Sequence, residues 1–330
     1  MTQENMKKIL TVIVSAILAS TILSAQDRII NRYGLELLRV KGGYRLLDEN
    51  NIVSKGIFDL SKVPADMYEP YYRSRTFLKD EDFHQCETIE MVFAKYPSYE
   101  LKLAIDLPKK RDGKALPFII WIHGGGWHSG NFGGHSLQSR YLAGHGIAGV
   151  RISYSLLTQG ANFSDTWNDI QAALTFVKEH SAEYNLDPTR FGFAGHSAGG
   201  HLASYAAMRI PETKLLISMN GIYDLVNTYP GYVPSNRHND YFNLESIESR
   251  KNASPVTFVH PGAPYCLITF TGGDTLVDKN QIKTFTHALR ENDVQYDLIF
   301  KDYYSHNGFN DTDLFEPMLM KILITAQKYL

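Results

Sequence analysis

Gly195-His196-Ser197-Ala198-Gly199 stands between a short apolar run, Arg190-Phe191-Gly192-Phe193-Ala194, and a stretch of good helix formers from Ala198 to Met208. The two glycines leave room for a sharp strand-to-helix turn that holds the central serine hydroxyl at a strained, exposed corner. The competing reading, a serine that merely caps the helix, requires no glycine two residues away on each side. A second pattern, His123-Gly124-Gly125-Gly126-Trp127, follows its own apolar run from Pro117 to Ile122. The backbone N–H groups of such a loop can turn toward a developing oxyanion. Together the two patterns supply what serine-dependent acyl transfer requires: a held hydroxyl and, upstream, a set of amide donors.

The rest of the chain supplies a frame for both. Leu101, Leu103, Ile105 and Leu107 alternate at period two and predict a half-buried strand, whereas the continuous run at 117–122 predicts a central strand buried on both faces. Further strands are expected at 147–152, 214–219, 265–270 and 295–300. Helices are expected at 164–180, 278–292 and 313–329, the first with Trp167, Ile170, Leu174 and Val177 on one face. This alternation predicts an α/β fold with a mostly parallel sheet, and ligands in such sheets bind beyond the carboxyl ends of the strands, where both glycine patterns fall.

At these residues the chain resembles the α/β-hydrolase superfamily, and within it the His-Gly-Gly-Gly esterases: hormone-sensitive-lipase-like carboxylesterases and the small carbohydrate esterases related to acetyl xylan and feruloyl esterases. The resemblance runs from about residue 95 to residue 330 and includes Tyr99 to Pro108, Ser197-Ala198-Gly199-Gly200-His201-Leu202-Ala203 and Ala253-Ser254-Pro255-Val256. It implies the α/β-hydrolase fold, with helices flanking the sheet, Ser197 as nucleophile and the N–H groups of Gly125, Gly126 and Ala198 as the oxyanion hole.

A serine hydroxyl needs a histidine to take its proton, and the histidine needs a carboxylate to fix its tautomer. In this fold the chain order is serine, acid, histidine. Asp274, in Thr271-Gly272-Gly273-Asp274-Thr275-Leu276-Val277-Asp278, matches the family's acid; Asp278 is the competitor, placed to cap the next helix. Tyr303-Tyr304-Ser305-His306-Asn307-Gly308-Phe309 resembles the family's His-Gly-Phe ending with Asn307 inserted, which implies His306 as the base. His260 and His287 read as surface or structural imidazoles, and His123 and His201 as loop braces. His196, beside the nucleophile, is expected to face the wrong way for a base, because adjacent side chains diverge at the turn.

Three segments are expected: a signal peptide at 1–25, a β-rich extension and connection at 26–95 with hairpin turns at Lys41-Gly42-Gly43-Tyr44 and 48–51, and the catalytic domain at 96–330. Lys7 and Lys8 precede an apolar stretch from Ile9 to Leu23, then Ser24-Ala25, which reads as an export signal leading to a secreted or periplasmic protein. That stretch is shorter than the roughly 20 residues of a spanning helix, so no stable membrane anchor is expected after cleavage. Met6 is an alternative start. Within the catalytic domain, 221–264 reads as a loop-rich insertion. Its Tyr229, Tyr232 and Tyr241, with Trp127, are candidate walls of the substrate pocket. The aromatics of 61–95 have two readings, packing against the domain or stacking on a sugar.

A formal net charge of −2 with 21% charged residues offers nothing to nucleic acid. The partner expected is a small-molecule ester or an acylated polysaccharide. No cofactor and no metal are expected, since the chemistry needs neither. Cys86 and Cys266 are read either as a disulfide in an exported protein or as two buried thiols. The activity expected is that of an exported serine esterase removing acetyl or hydroxycinnamoyl groups from carbohydrates. The alternatives are an amidase or peptidase on the same fold, such as an arylformamidase or acyl-peptide hydrolase, and a binding module without catalysis.

Overall fold

The computed structural model describes residues 28–30, 36–40, 43–47, 78, 80–227, 241–243, 246–301, 304–311 and 314–330. It divides into two compact units, Met1–Phe77 and Leu78–Leu330. In the first, β1 (Arg28–Ile30), β2 (Glu36–Val40) and β3 (Gly43–Leu47) form an antiparallel sheet with β2 in the middle. Val40 pairs with Gly43 at the end of the β2–β3 ladder. The expected signal segment and the second expected turn lie outside the described residues.

The second unit is built on eight strands: β4 (Cys86–Lys95), β5 (Glu100–Pro108), β6 (Leu116–Ile122), β7 (Ala148–Ile152), β8 (Leu186–His196), β9 (Leu215–Met219), β10 (Tyr265–Thr271) and β11 (Tyr296–Lys301). Their order across the sheet is β11-β10-β9-β8-β6-β7-β5-β4. β5 runs antiparallel to both its neighbours and every other pairing is parallel. Helices α1 (Ser136–Gly144), α2 (Phe163–Glu179), α3 (Ala198–Arg209), α4 (Ile247–Asn252), α5 (Asn280–Glu291) and α6 (Phe315–Tyr329) make or accompany the crossovers. α1 packs on β7 and β5, and α3 on β8, β9 and β6. This is the α/β-hydrolase fold.

Parallel strands need such crossovers, and sheets covered by helices have apolar strands on both faces. Phe118, Ile120 and Ile122 of β6, Phe191 and Phe193 of β8, and Ile268 and Phe270 of β10 are accordingly fully buried. α2 starts where the sequence can start it: the Asn162 side chain accepts from the amides of Ser164 and Asp165, and Asp165 returns a bond to the Asn162 amide.

Three expectations change. The compact unit begins at Leu78 rather than 96, because β4, expected to be part of a connection, pairs with β5 along most of its length. β5 is buried on both faces from Leu103 onward, since its polar residue Asp106 is itself paired: Arg151 Nε and Nη2 reach it at 2.7 and 3.1 Å, and Thr88 and Ser139 add hydroxyl bonds. β8 begins at Leu186, ahead of the apolar run from Arg190, and its pairing with β6 is irregular between Leu116 and Phe118. The cysteines are two separate buried thiols. Cys86 lies on β4 and Cys266 on β10, six strand spacings of about 4.8 Å apart, far beyond disulfide reach.

Candidate active site

The pairing of β6 with β8 brings the two glycine patterns together. Ile122 lies opposite Gly195 at the carboxyl ends of these strands, so segments about 70 residues apart leave the sheet side by side. Ser197 follows at φ 58°, ψ −124°, a conformation costly for any residue with a side chain, and α3 starts at the next residue. The neighbours over-determine it. The Ser197 amide donates to the Met219 carbonyl at 2.9 Å, and its carbonyl accepts from His201 at 3.0 Å. A Cβ at Gly199 would lie 2.0 Å from the Ile122 oxygen, one at Gly195 2.3 Å from the Gly199 oxygen, and one at Gly124 2.9 Å from the His196 oxygen. Backbone must meet backbone here, so only glycine fits.

Gly125 and Gly126 take left-handed conformations, φ 112° and 58°, and Trp127 follows at 60°. The His123 imidazole bonds the Gly124 carbonyl at 2.7 Å through Nδ1, and the Gly125 carbonyl accepts from the amides of His128 and Ser129 at 3.1 Å. In a trans peptide the N–H points opposite to the preceding C=O. The amides of Gly125 and Gly126 are therefore turned away from these acceptors. Ala198, first residue of α3, has an amide with no carbonyl one turn earlier in the helix to receive it.

The loops after β10 and β11 bring Asp274 and His306 together. His306 Nδ1 lies 2.6 Å from Asp274 Oδ2, with the Asp274 side chain fully buried and that of His306 at 11% exposure. The other carboxylate oxygen accepts from the amides of Leu276 and Val277 at 2.8 and 2.9 Å. Burial alone would raise the Asp274 pKa, but the bonds from His306 and Asn220 outweigh it and hold the carboxyl below its usual range. Asp278 instead bonds the amide of Asn280 at the start of α5, 2.5 Å away. The competitor is thus a helix-end acceptor and Asp274 is the partner of the imidazole.

Among the other histidines, His196 contacts the base rather than replacing it: its Nε2 bonds the His306 carbonyl at 2.8 Å, and the two rings lie 4.7 Å apart. His123 and His201 are braces, as their sequence positions suggest. His201 donates from Nε2 to the Ala253 carbonyl at 2.7 Å and accepts at Nδ1 from the Trp127 indole at 3.3 Å. Those two partners fix a neutral tautomer, and burial lowers the pKa to about 4. Burial does the same to His123, to about 4, and to His135, to about 3.

Trp127 is packed rather than open, edge-on to Phe242 at 4.8 Å and to His201 at 5.5 Å, with Tyr241 at 6.2 Å. The Tyr241 hydroxyl donates to Thr166 at 2.6 Å. Both rings are about 2% exposed, so they form the aromatic backing of the glycine loop. Tyr229 and Tyr232 lie outside the described residues. Sequence reasoning missed Asn220, which donates to Asp274, and Tyr154, which stacks on His123 and donates to its carbonyl at 3.1 Å. Their position just past strand ends was the one signal available. Among the described residues, no group of three or more His, Cys, Asp or Glu is arranged to hold a metal ion, and no helix is long and apolar enough to cross a membrane.

Residues 103–289, more than half of the chain, match the BD-FAE family. The chain belongs to the BD-FAE family. A probable isoprenylcysteine alpha-carbonyl methylesterase of Oryza sativa, ICMEL1, is 27% identical over 250 residues, which cover 68% of this chain and 57% of that protein. The probable carboxylic ester hydrolase LipM of Mycobacterium tuberculosis is 30% identical over 196 residues, 53% of this chain and 45% of that one. The chain thus spans about half the length of these curated relatives. Among solved structures, the butyrate-bound esterase Est2 of Thermogutta terrifontis superposes with a TM-score of 0.64 at 23% identity, covering 74% of this BD-FAE chain and 95% of that one. A truncated carbohydrate esterase from gut microbiota gives 0.60 at 19%, covering 73% and 96%.

Proposed function

We propose that this protein is a serine carboxylic-ester hydrolase with Ser197 as nucleophile, His306 as general base and Asp274 as its acid partner. The observation that carries the reading is the held serine at the end of β8 beside a buried Asp274–His306 pair, whose base is tied through its own carbonyl to the residue preceding that serine. His306 Nε2 takes the Ser197 proton as Oγ attacks the ester carbonyl. The amides of Gly125, Gly126 and Ala198 receive the negative charge that develops on its oxygen. Collapse of the tetrahedral intermediate expels the alcohol, which takes the proton from His306. Water, deprotonated by His306, then attacks the acyl-enzyme, and the acid leaves with Ser197 restored. Asp274 holds the imidazole in the tautomer with Nδ1 protonated and stabilises the imidazolium.

The substrate in this reading is an acetyl or hydroxycinnamoyl ester of a carbohydrate, met outside the cytoplasm. The basic and apolar residues at the amino terminus support export, in a secreted or periplasmic setting, and the resemblance to carbohydrate esterases supports the acyl class. The aromatic packing around Trp127 supports short acyl groups, because fixed rings next to the glycine loop leave less room for an alkyl chain. Each buried methylene is worth about 0.8 kcal/mol, so a roomy acyl tunnel would make kcat/KM climb steadily with chain length. Comparing purified protein on aryl esters from acetate to octanoate, with acetylated xylan and methyl ferulate alongside, tests this. The expected maximum lies at acetate to butyrate; an optimum at eight carbons or longer contradicts the short-acyl reading.

A further inference from the structure

Asn220 follows β9 directly, at φ 45° and fully buried. Its side-chain nitrogen donates twice, to Asp274 Oδ2 at 2.7 Å and to Thr271 Oγ1 at 2.6 Å. Its side-chain oxygen is buried with no hydrogen-bond partner. An unsatisfied buried carbonyl and a left-handed backbone both cost stability, and neither improves packing. The amide cannot be turned over to relieve the oxygen, because that would set Oδ1 against the Asp274 carboxylate, acceptor against acceptor. What the position gains is a donor aimed at the acid.

Asp274 Oδ2 is shared between two donors, His306 Nδ1 and Asn220 Nδ2. Thr271, which receives the other N–H of Asn220, passes its own hydroxyl proton to the Ser305 carbonyl at 2.9 Å, one residue before the base. One amide therefore touches the acid directly and the base's loop through a single hydroxyl. We infer that Asn220 is a positioning residue, which sets the orientation and strength of the Asp274–His306 bond by donating to the oxygen His306 uses and by holding the segment that carries His306. The inference rests on His306 being the general base.

The second donor draws negative charge out of the bond to the imidazole. Without it the carboxylate holds the imidazolium more tightly. Among the described residues, the groups facing the pair are Asn220 just past β9, the amides of Leu276 and Val277, and the titratable His196 ring from the end of β8.

The test compares wild type with Asn220→Gly, which accepts the left-handed backbone and deletes only the side chain, and with Asn220→Ala. The pH profile of kcat/KM on p-nitrophenyl acetate is normalised to sites titratable by a fluorophosphonate, so misfolded protein drops out. The expected result is a loss of about 10- to 100-fold at pH 7, carried by kcat rather than KM, with the acid limb moved up by about half a unit to one unit. Activity per site within threefold of wild type overturns the inference. So does a loss with the acid limb unmoved, or failure of both variants to fold, since each makes Asn220 merely structural. If wild type neither hydrolyses esters nor takes up the fluorophosphonate, the hydrolase reading itself fails and takes this inference with it.

Discussion

The two halves of the site are held by different physics. Around Ser197 the geometry follows from steric exclusion: the ends of β6 and β8 and the start of α3 approach so closely that an added Cβ at Gly199 would lie 2.0 Å from a carbonyl oxygen. Around His306 it follows from directional polar bonds, with Asp274 held by Asn220 and two amides, and the base's loop held by Thr271 and His196. Exclusion leaves a mark in sequence, because small residues recur at fixed spacing. Polar bonds leave almost none: the His196–His306 contact joins positions 110 residues apart.

The comparison is broken most directly at its chemical centre. Ser197→Ala should abolish hydrolysis with the fold intact, a loss that can reach on the order of a millionfold; steady-state rates on a clean preparation check it. Asp274→Asn, which leaves shape unchanged but holds His306 in the wrong tautomer, should cost about 10⁴ in kcat. If the halves differ as described, Gly199→Ala should act through structure rather than protonation. The added methyl must displace the backbone of Ile122 or the elbow itself, and thermal unfolding should show a loss of about 3 kcal/mol or more.

A smaller effect concerns acid. His123 and His201, beside the glycine loop, are neutral in the folded state with pKa values lowered to about 4 by burial. An unfolded histidine binds its proton near pH 6.5. The stability from keeping each neutral is fully present above about pH 6.5 and is lost as pH falls from there toward 4, about 1.4 kcal/mol per pH unit for each. Urea unfolding at pH 7 and pH 5 should therefore show a marked loss in wild type and a smaller one in His201→Gln, whose amide can keep both partners. Smallest of all, Asp278→Ala should weaken the start of α5 by about 1 kcal/mol and leave kcat unchanged.

Legibility in the sequence divides along the same line. The continuous apolar runs of β6 and β10 and the amphipathic α2 are apparent from residue pattern, because burial on two faces or one dictates it. β4 is not: apart from Cys86 its residues are half-buried or exposed, and its place comes from pairing with β5. The buried polar face of β5 stays hidden as well, since Asp106 reads as exposed until Arg151 is seen beside it. At the site, the glycines announce the turn at Ser197, whereas nothing near Asn220 in sequence announces that its amide meets a carboxylate 54 residues later.

The central claim is that Ser197 is a nucleophile activated from the other half of the site. Incubating the protein with a fluorophosphonate and locating the adduct by peptide mass spectrometry tests it in one step, with His306→Ala run in parallel. The account predicts one adduct per chain, on Ser197, forming far more slowly in His306→Ala. An unmodified Ser197 in the wild-type protein, or modification at the same rate without His306, would contradict it.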